Sequence, residues 1–337
     1  MFARDDHQTS QSIHVVSEFM NASGGTEWHA LNLARTIRMV HEDVTCWNQM
    51  GRPDPFFSGR FGIRNIDTGW RGHAPRVGQL IVVGEWMMPG RWFQAMKVSR
   101  IVQVSTVLSP EPQERSRHAL EAKGCPVDHV FICDAQRRAY GLEGPLHPAP
   151  VDIERFRPRP VPVREGRFVV GRMSRDTLDK HDFVQDPDLY RWLLGRGASV
   201  RLMGARCVAH MLPVAPGLEA MPVMTEPPDA FLHSLDCFFF RTGTWFDNFA
   251  TVLFEAMACG IPVVAHRWGG YADYIKDGVD GFLFDSQSEA KDILARLQDD
   301  PGLRARIGSQ ARASMEALYS PDAERARALH YLSPLRS

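Results

Sequence analysis

The stretch Arg241–Asp285, RTGTWFDNFATVLFEAMACGIPVVAHRWGGYADYIKDGVDGFLFD, decides how this chain is read. The apolar run Cys237–Phe240 before it has the length of a buried strand and enters a polar loop. Apolar spacing then predicts a helix from about Phe249 to Cys259. Gly260 and Pro262 stop it, and Val263–Ala265 makes a second buried strand. Asp247 stands just before the helix and Glu255 lies on it. Free N–H groups in a first helical turn accept an anion. A carboxylate on either side accepts hydrogen bonds from hydroxyls. The pattern suits a ligand with one anionic part and one hydroxyl-rich part, held at a strand–helix junction.

Working outward, the second half of the chain alternates strand and helix. Strands are expected at Phe168–Gly171, Val200–Met203 (closed by Gly204) and near Met221–Met224. Helices are expected after Lys180 to about Arg196, over Asp229–Leu235, over Ser288–Asp299 and over Pro301–Leu318. The first half repeats the rhythm, with strands at Ile13–Val16, Val44–Trp47, Ile63–Ile66, Leu80–Val83, Ile101–Val104 and Val130–Cys133. Its first strand runs through Ser23-Gly24-Gly25-Thr26 into an amphipathic helix, about Glu27–Val40. Two glycines there permit close backbone approach to a ligand, and equally make a tight turn. No G-x-G-x-x-G occurs, so a dinucleotide fingerprint is absent. Pro145, Pro148, Pro150, Pro158, Pro160 and Pro162 interrupt both rhythms. The expected divisions are a Rossmann-like domain over 1–148, a linker over 149–165, a second Rossmann-like domain over 166–320 and a helical tail over 321–337. Such an α/β pair of parallel sheets places a ligand in the cleft between the domains.

The chain has 337 residues, 44% of them hydrophobic and 23% charged, with a net charge of −1. That is a globular composition with no global charge to recruit nucleic acid. Six cysteines are scattered without a C-x-x-C pair and read as buried thiols of a reducing compartment. No zinc-type Cys/His spacing occurs. The N-terminal residues do not read as a signal peptide, and no apolar run approaches the roughly 18 residues of a spanning helix. A cytoplasmic protein is expected. Residues 52–100 interleave Arg52, Arg60, Arg64, Arg71, Arg76, Arg91, Lys97 and Arg100 with Phe56, Phe57, Phe61, Trp70, Trp86, Trp92 and Phe93. Two readings stand: a surface for anionic lipid at the inner face of a membrane, or core aromatics beside solvated cations. Asp186-Pro187-Asp188 is a D-x-D string, but it follows a loop rather than a buried strand end, and no metal site is expected there.

These pieces together resemble the retaining glycosyltransferases of the GT-B fold, family 4. Gly171-Arg172 with Lys180 is similar to that family's G-R … K element. Asp247 to Glu255 has the spacing of its E-x7-E motif, and Glu255-Ala256-Met257-Ala258-Cys259-Gly260-Ile261-Pro262-Val263-Val264-Ala265 is close to its most recurrent string. Gly269-Gly270, Asp277-Gly278, the junction Val151-Asp152 … Arg155-Phe156-Arg157-Pro158 and the loop Ser23–Glu27 also fit. The resemblance covers about a third of the chain strongly and the first domain weakly.

The resemblance implies transfer of a sugar from a nucleoside diphosphate donor, UDP- or GDP-linked, to an acceptor hydroxyl. It implies retention, no cofactor and no metal. By the same resemblance Arg172 and Lys180 neutralise the diphosphate and Asp247 meets the transferred sugar. Glu255 holds the ribose. Asn248, Phe249, Ala250, Thr251 and Val252 line the donor, Gly204 and Val223 flank the base, and Gly24, Gly25 and Thr26 form a loop on the acceptor side. The acceptor would be a glycan or a lipid-linked glycan of a cell envelope. A nucleotide-sugar epimerase and a non-catalytic sugar-nucleotide-binding module are the alternatives. Three departures stand out. Asp247 replaces a Glu, and Ala250 replaces a Gly. The strand Ile101–Thr106 lacks the histidine that many members carry, leaving Ser105 or Thr106 in its place.

Overall fold

The computed structural model describes residues 11–22, 24–69, 72–86, 90–159 and 166–332. The chain divides into two compact units. One runs to Pro150 and resumes at Pro321, and the other is Val151–Ser320.

The first unit is built on six parallel strands: β1 (Ile13–Ser17), β2 (Val44–Asn48), β3 (Arg64–Asn65), β4 (Val77–Val83), β5 (Lys97–Ser105) and β6 (Val127–Phe131). Their order is β3-β2-β1-β4-β5-β6. Helices α1 (Gly25–Arg38), α2 (Pro55–Phe61), α3 (Arg91–Ala95), α4 (Pro110–Glu121) and α5 (Asp134–Tyr140) connect them. Side chains alternate across a strand, so the sheet feeds two cores. Val15, Ile81, Val102 and Val104 pack with Ala30, Leu33, Ala34 and Ile37 of α1 on one face. Val16, Leu80, Val82 and Ile101 pack with Trp92, Phe93 and Leu120 on the other. Every residue of β1 is buried, which is why its sequence shows a run and not an alternation.

The second unit has β7 (Val169–Met173), β8 (Ser199–Met203), β9 (Leu218–Met221), β10 (Cys237–Phe240), β11 (Val263–His266) and β12 (Phe282–Phe284), again all parallel. Its helices are α6 (Gln185–Gly195), α7 (Pro228–Leu232), α8 (Thr251–Ala258), α9 (Gln287–Asp299) and α10 (Pro301–Leu318). The order β12-β11-β10-β7-β8-β9 repeats that of the first sheet. In both, the first and fourth strands lie side by side and the connections leave in opposite directions. Parallel sheets bind ligands beyond the carboxyl ends of such a pair.

A last helix, α11 (Pro321–Leu332), packs on α1 in the first unit. Tyr331 is in that unit's core. Gln79 Nε2 donates to the Tyr331 carbonyl at 2.6 Å, and Arg100 Nη1 donates to the carbonyls of His330 and Tyr331 at 3.0 and 2.9 Å. A cation thereby meets the negative end of the helix. The tail expected after 321 is therefore a structural part of the first unit. Of the segment read as a linker, 151–159 is tied into the second unit: Arg312 Nη1 donates to the carbonyls of Ile153, Phe156 and Ala258. Pro160 and Pro162 lie outside the described residues.

Several boundaries move. The strand expected near Met221–Met224 is Leu218–Met221, so Val223 lies in the loop after it. The strand expected to reach Cys133 stops at Phe131, because Cys133 already caps α5. Residues 52–100 are spread over several elements. Phe57, Trp92 and Phe93 are core residues, while Phe61 and Trp86 are exposed. Trp70 and Arg71 lie outside the described residues, as does Ser23. Among the described residues no helix is long and apolar enough to cross a membrane.

Substituting Arg100→Ala removes the guanidinium from the carbonyls of His330 and Tyr331, the latter keeping Gln79, and from the Asp128 carboxylate, its partner at 2.7 Å. A loss of about 2 kcal/mol is expected from charge-assisted hydrogen bonds of this kind. It is measured as reduced hydrogen-exchange protection in β4 and β5. In a chain ending at Ser320 the same substitution should add little.

Candidate functional site

The candidate site is built at the carboxyl ends of β7, β8 and β10. Arg172, on β7, is 2% exposed. A buried guanidinium needs acceptors, and it finds them on two loops. Nη2 donates to the carbonyl of Lys180 and, at 3.0 Å, to that of Arg241. Nη1 lies 2.8 Å from His181 Nδ1 and 3.3 Å from Ser174 Oγ. The resemblance implied that Arg172 meets a diphosphate. In this structure its two terminal nitrogens face protein acceptors while its Nε has no hydrogen-bond partner among the described residues, and the side chain acts as a strut between the loops.

His181 extends the strut. Burial first, and the Arg172 charge second, push its pKa down to about 4, so the ring is neutral near pH 7. Because Nδ1 accepts from Arg172, the proton sits on Nε2, which donates to the Gly204 carbonyl at 3.1 Å. Gly204 has φ +83°, and a Cβ there would stand 2.0 Å from the Ser174 carbonyl oxygen. Only glycine fits that close approach. The same imagined Cβ would lie 3.1 Å from Val223 Cγ1, so the two residues expected to flank a base are neighbours.

Lys180 ends the short 3-10 turn Leu178–Lys180 and is buried. Its ammonium stands 2.5 Å from Asp247 Oδ2 and 5.5 Å from the Trp245 ring centroid. Burial lowers the Lys180 pKa and Asp247 opposes the shift. The other oxygen, Asp247 Oδ1, accepts from the Ala250 N–H at 3.0 Å, and the Asp247 carbonyl accepts from the Gly270 N–H at 2.9 Å. Asp247 therefore pins a tight loop.

The helix expected from Phe249 starts two residues later, at Thr251. The cause is Ala250, whose φ of +47° is left-handed and cannot continue a helix. A glycine would take this conformation without strain. Phe249 is buried, stacked on Phe254 at 4.0 Å, and Asn248 is also buried. The backbone N–H groups of Thr251 and Val252 have no hydrogen-bond partner among the described residues and open the helix.

Glu255 lies farther along α8. Its carboxylate makes no hydrogen bond or ion pair among the described residues, while its carbonyl accepts from the Cys259 N–H at 3.0 Å. Burial pushes its pKa up to about 7; Arg155 opposes the shift and Asp229 reinforces it, these two being paired with each other at 3.1 Å. A half-buried carboxylate without a donor is costly to charge, and it is satisfied when hydroxyls arrive.

Gly24, Gly25 and Thr26 belong to the first unit, at the start of α1. Gly24 is the N-cap, and a Cβ on it would collide with the Glu27 carboxylate at 1.9 Å. Thr26 Oγ1 is 3.1 Å from Thr106 Oγ1. Ser105 is fully buried with its hydroxyl unpartnered, so Thr106 is the residue that faces the glycine loop.

Sequence reasoning missed His181, Arg175 and Glu85. Arg175 lies against the same Trp245 ring as Lys180, at 5.5 Å. Only adjacency to Lys180 could have signalled His181. In the D-x-D string Asp186 pairs with Arg241 at 2.7 Å and Asp188 with Lys291 at 2.7 Å.

Residues 221–314 match the family Glycosyl transferases group 1. The chain is 37% identical over 382 residues to the D-inositol 3-phosphate glycosyltransferase of Streptomyces bingchenggensis, a match covering 95% of this chain and 81% of that protein. The chain belongs to the group 1 glycosyltransferases. With the namesake of Arthrobacter sp. strain FB24, this glycosyltransferase shares 45% identity over 67 residues, 19% of its own length and 16% of the relative's. Against that relative and two others the match spans 16 to 23% of their length. Among solved structures, HepE of Anabaena in complex with UDP superposes with a TM-score of 0.71 at 16% identity, over 96% of this chain and 100% of that one. That likeness is one of fold, and the fold is GT-B.

Two measurements check the local chemistry of this glycosyltransferase. Ala250→Gly should raise stability by about 1 kcal/mol in urea titrations, because the left-handed backbone no longer strains a Cβ. The raised Glu255 pKa has a definite sign. Between the ordinary value of 4.5 and about 7 the folded state holds a proton that the unfolded state has released. Stability relative to Glu255→Gln should therefore fall as pH rises through that window.

Proposed function

We propose that this glycosyltransferase moves a sugar from a nucleoside diphosphate sugar to an acceptor hydroxyl, with retention at the anomeric carbon. The observation that carries the reading is Glu255, a half-buried carboxylate with no protein donor, on the helix that opens beside the Lys180–Asp247 pair. Glu255 would accept from the two ribose hydroxyls. Lys180 and the amides of Thr251 and Val252 would hold the diphosphate, and Arg175, half-buried and 4.0 Å from Asp179, is the further cation able to join them. Arg172 keeps Lys180 in place. Gly204 and Val223 would flank the base.

The bond between the anomeric carbon and the diphosphate breaks as the acceptor oxygen attacks from the same face. The acceptor proton passes to the departing phosphate oxygen. Negative charge grows on that oxygen, where a fixed ammonium stabilises the transition state most. Asp247, already paired with Lys180, would turn its carboxylate to a sugar hydroxyl and support the positive charge at the anomeric carbon. Such a set needs no metal ion. UDP bound to HepE makes UDP-linked donors the first to try, with GDP-linked donors second. The Streptomyces relative's name makes an inositol phosphate the first acceptor to try. A glycan or lipid-linked glycan of a cell envelope, reached from the cytoplasmic side and with residues 52–100 against the membrane, is the wider class.

The test is direct. UDP or GDP should raise the melting temperature, and a UDP- or GDP-sugar should be turned over equally well with and without EDTA. Asp247→Ala and Glu255→Ala should each lower transfer at least 100-fold, about 2.7 kcal/mol in the barrier, with folding intact. Full activity in both variants refutes the assignment. Binding without any turnover would favour the non-catalytic alternative.

A further inference from the structure

The half-buried indole of Trp245 is shared by two cations of the second unit and has no part in the reading above. Its ring centroid lies 5.5 Å from Arg175 Cζ and 5.5 Å from Lys180 Nζ. The negative face of an indole attracts a cation within about 6 Å of its centroid. The two cations pair with different carboxylates, Lys180 with Asp247 at 2.5 Å and Arg175 with Asp179 at 4.0 Å. They also repel each other. Burial lowers the Lys180 pKa, Asp247 opposes the fall, and the Arg175 charge adds to it.

The ring is fixed through its own backbone. The N–H groups of Gly243 and Trp245 both donate to the Asp179 carbonyl at 3.2 Å, which ties the loop before Asp247 to the turn Leu178–Lys180. Gly243 allows that approach, since a Cβ on it would stand 2.1 Å from the His181 carbonyl oxygen. Arg172 holds the same two segments by their carbonyls, those of Lys180 and Arg241. A strut on the backbone leaves the end of a long side chain its rotamer freedom. The indole stands beside both charged ends.

We propose that Trp245 is a positioning residue whose indole holds the Lys180 ammonium and the Arg175 guanidinium together, at the spacing in which they receive a diphosphate. The proposal rests on the glycosyl-transfer reading in naming the diphosphate as the anion. In that reading Lys180 leaves Asp247 for a phosphate oxygen, and Asp247 turns to the sugar. The ring face is the contact that Lys180 keeps while it changes partners. A π face attracts charge without offering the acceptor atom that a carboxylate offers, so both cations keep their N–H donors for phosphate oxygens.

The experiment uses the full chain, with Trp245 replaced site-specifically by tryptophans carrying one, two or three ring fluorines. These keep the shape of the ring and drain its negative face. Lysine side chains are labelled for NMR, and the probes are UDP with uridine and GDP with guanosine. The Lys180 pKa should fall stepwise with each fluorine, because the ring then stabilises the ammonium less. The dissociation constant of the diphosphate that binds should rise about tenfold across the series, while its nucleoside binds equally throughout. In Arg175→Gln the same series should raise it only about threefold, one cation having left the ring. An unchanged Lys180 pKa, a diphosphate affinity that the fluorines do not move, or a nucleoside that weakens in step with the diphosphate overturns the proposal. A falling Lys180 pKa in a protein that binds neither UDP nor GDP counts against the glycosyl-transfer reading and leaves the ring's hold on the two cations standing.

Discussion

The loops at the carboxyl edge of the second sheet are organised first around the buried guanidinium of Arg172. Arg172 reaches from the first strand of the sheet to the carbonyls of Lys180 and Arg241, so one planar group fixes two loops of separate origin. Carbonyls at these turns would otherwise face inward without donors, at roughly 1–3 kcal/mol each. The strut also sets the tautomer of His181, and through it the position of Gly204. Arg241 is a second such group, fully buried against Asp186 and bonded to Gln185 and Gln287. These two arginines hold the start of the loop Arg241–Ala250, and the stacking of Phe249 on Phe254 holds its end.

Much of this was legible in the sequence. The run Cys237–Phe240, the Gly-Pro stop and Val263–Ala265 announce two buried parallel strands, because such strands are covered on both faces and read as unbroken apolar runs. The spacing of Asp247 and Glu255 put both carboxylates near one junction. What stayed hidden was direction. Nothing in the order of letters shows that the terminal nitrogens of Arg172 turn inward onto carbonyls. The start of α8 was misplaced because Ala250 is a good helix former by propensity. Its left-handed backbone is imposed by Asp247, which holds its N–H. Glu85 gave no signal, since its partners lie twenty residues away on another strand.

The two sheets share one strand order but carry opposite chemistry at the same edge. In the second unit the edge offers an ammonium and free amides, which suit phosphate oxygens. In the first it offers the Thr26 and Thr106 hydroxyls in front of the buried Glu85 carboxyl. Geometry supplied by the fold is thus common to both units, while the loops decide what each admits.

The return of α11 to the first unit has a consequence for how the protein comes to be made. The six strands of the first sheet leave the ribosome before any of the second, yet Gln79 and Arg100 meet the carbonyls that end α11 only when Tyr331 has emerged. The second unit, drawn from one continuous segment, can close on itself as soon as it is synthesised. Nascent chains would therefore carry a finished second unit beside a first unit whose α1 still exposes the apolar face that α11 later covers. The half of the protein that is encoded first is the half that matures last.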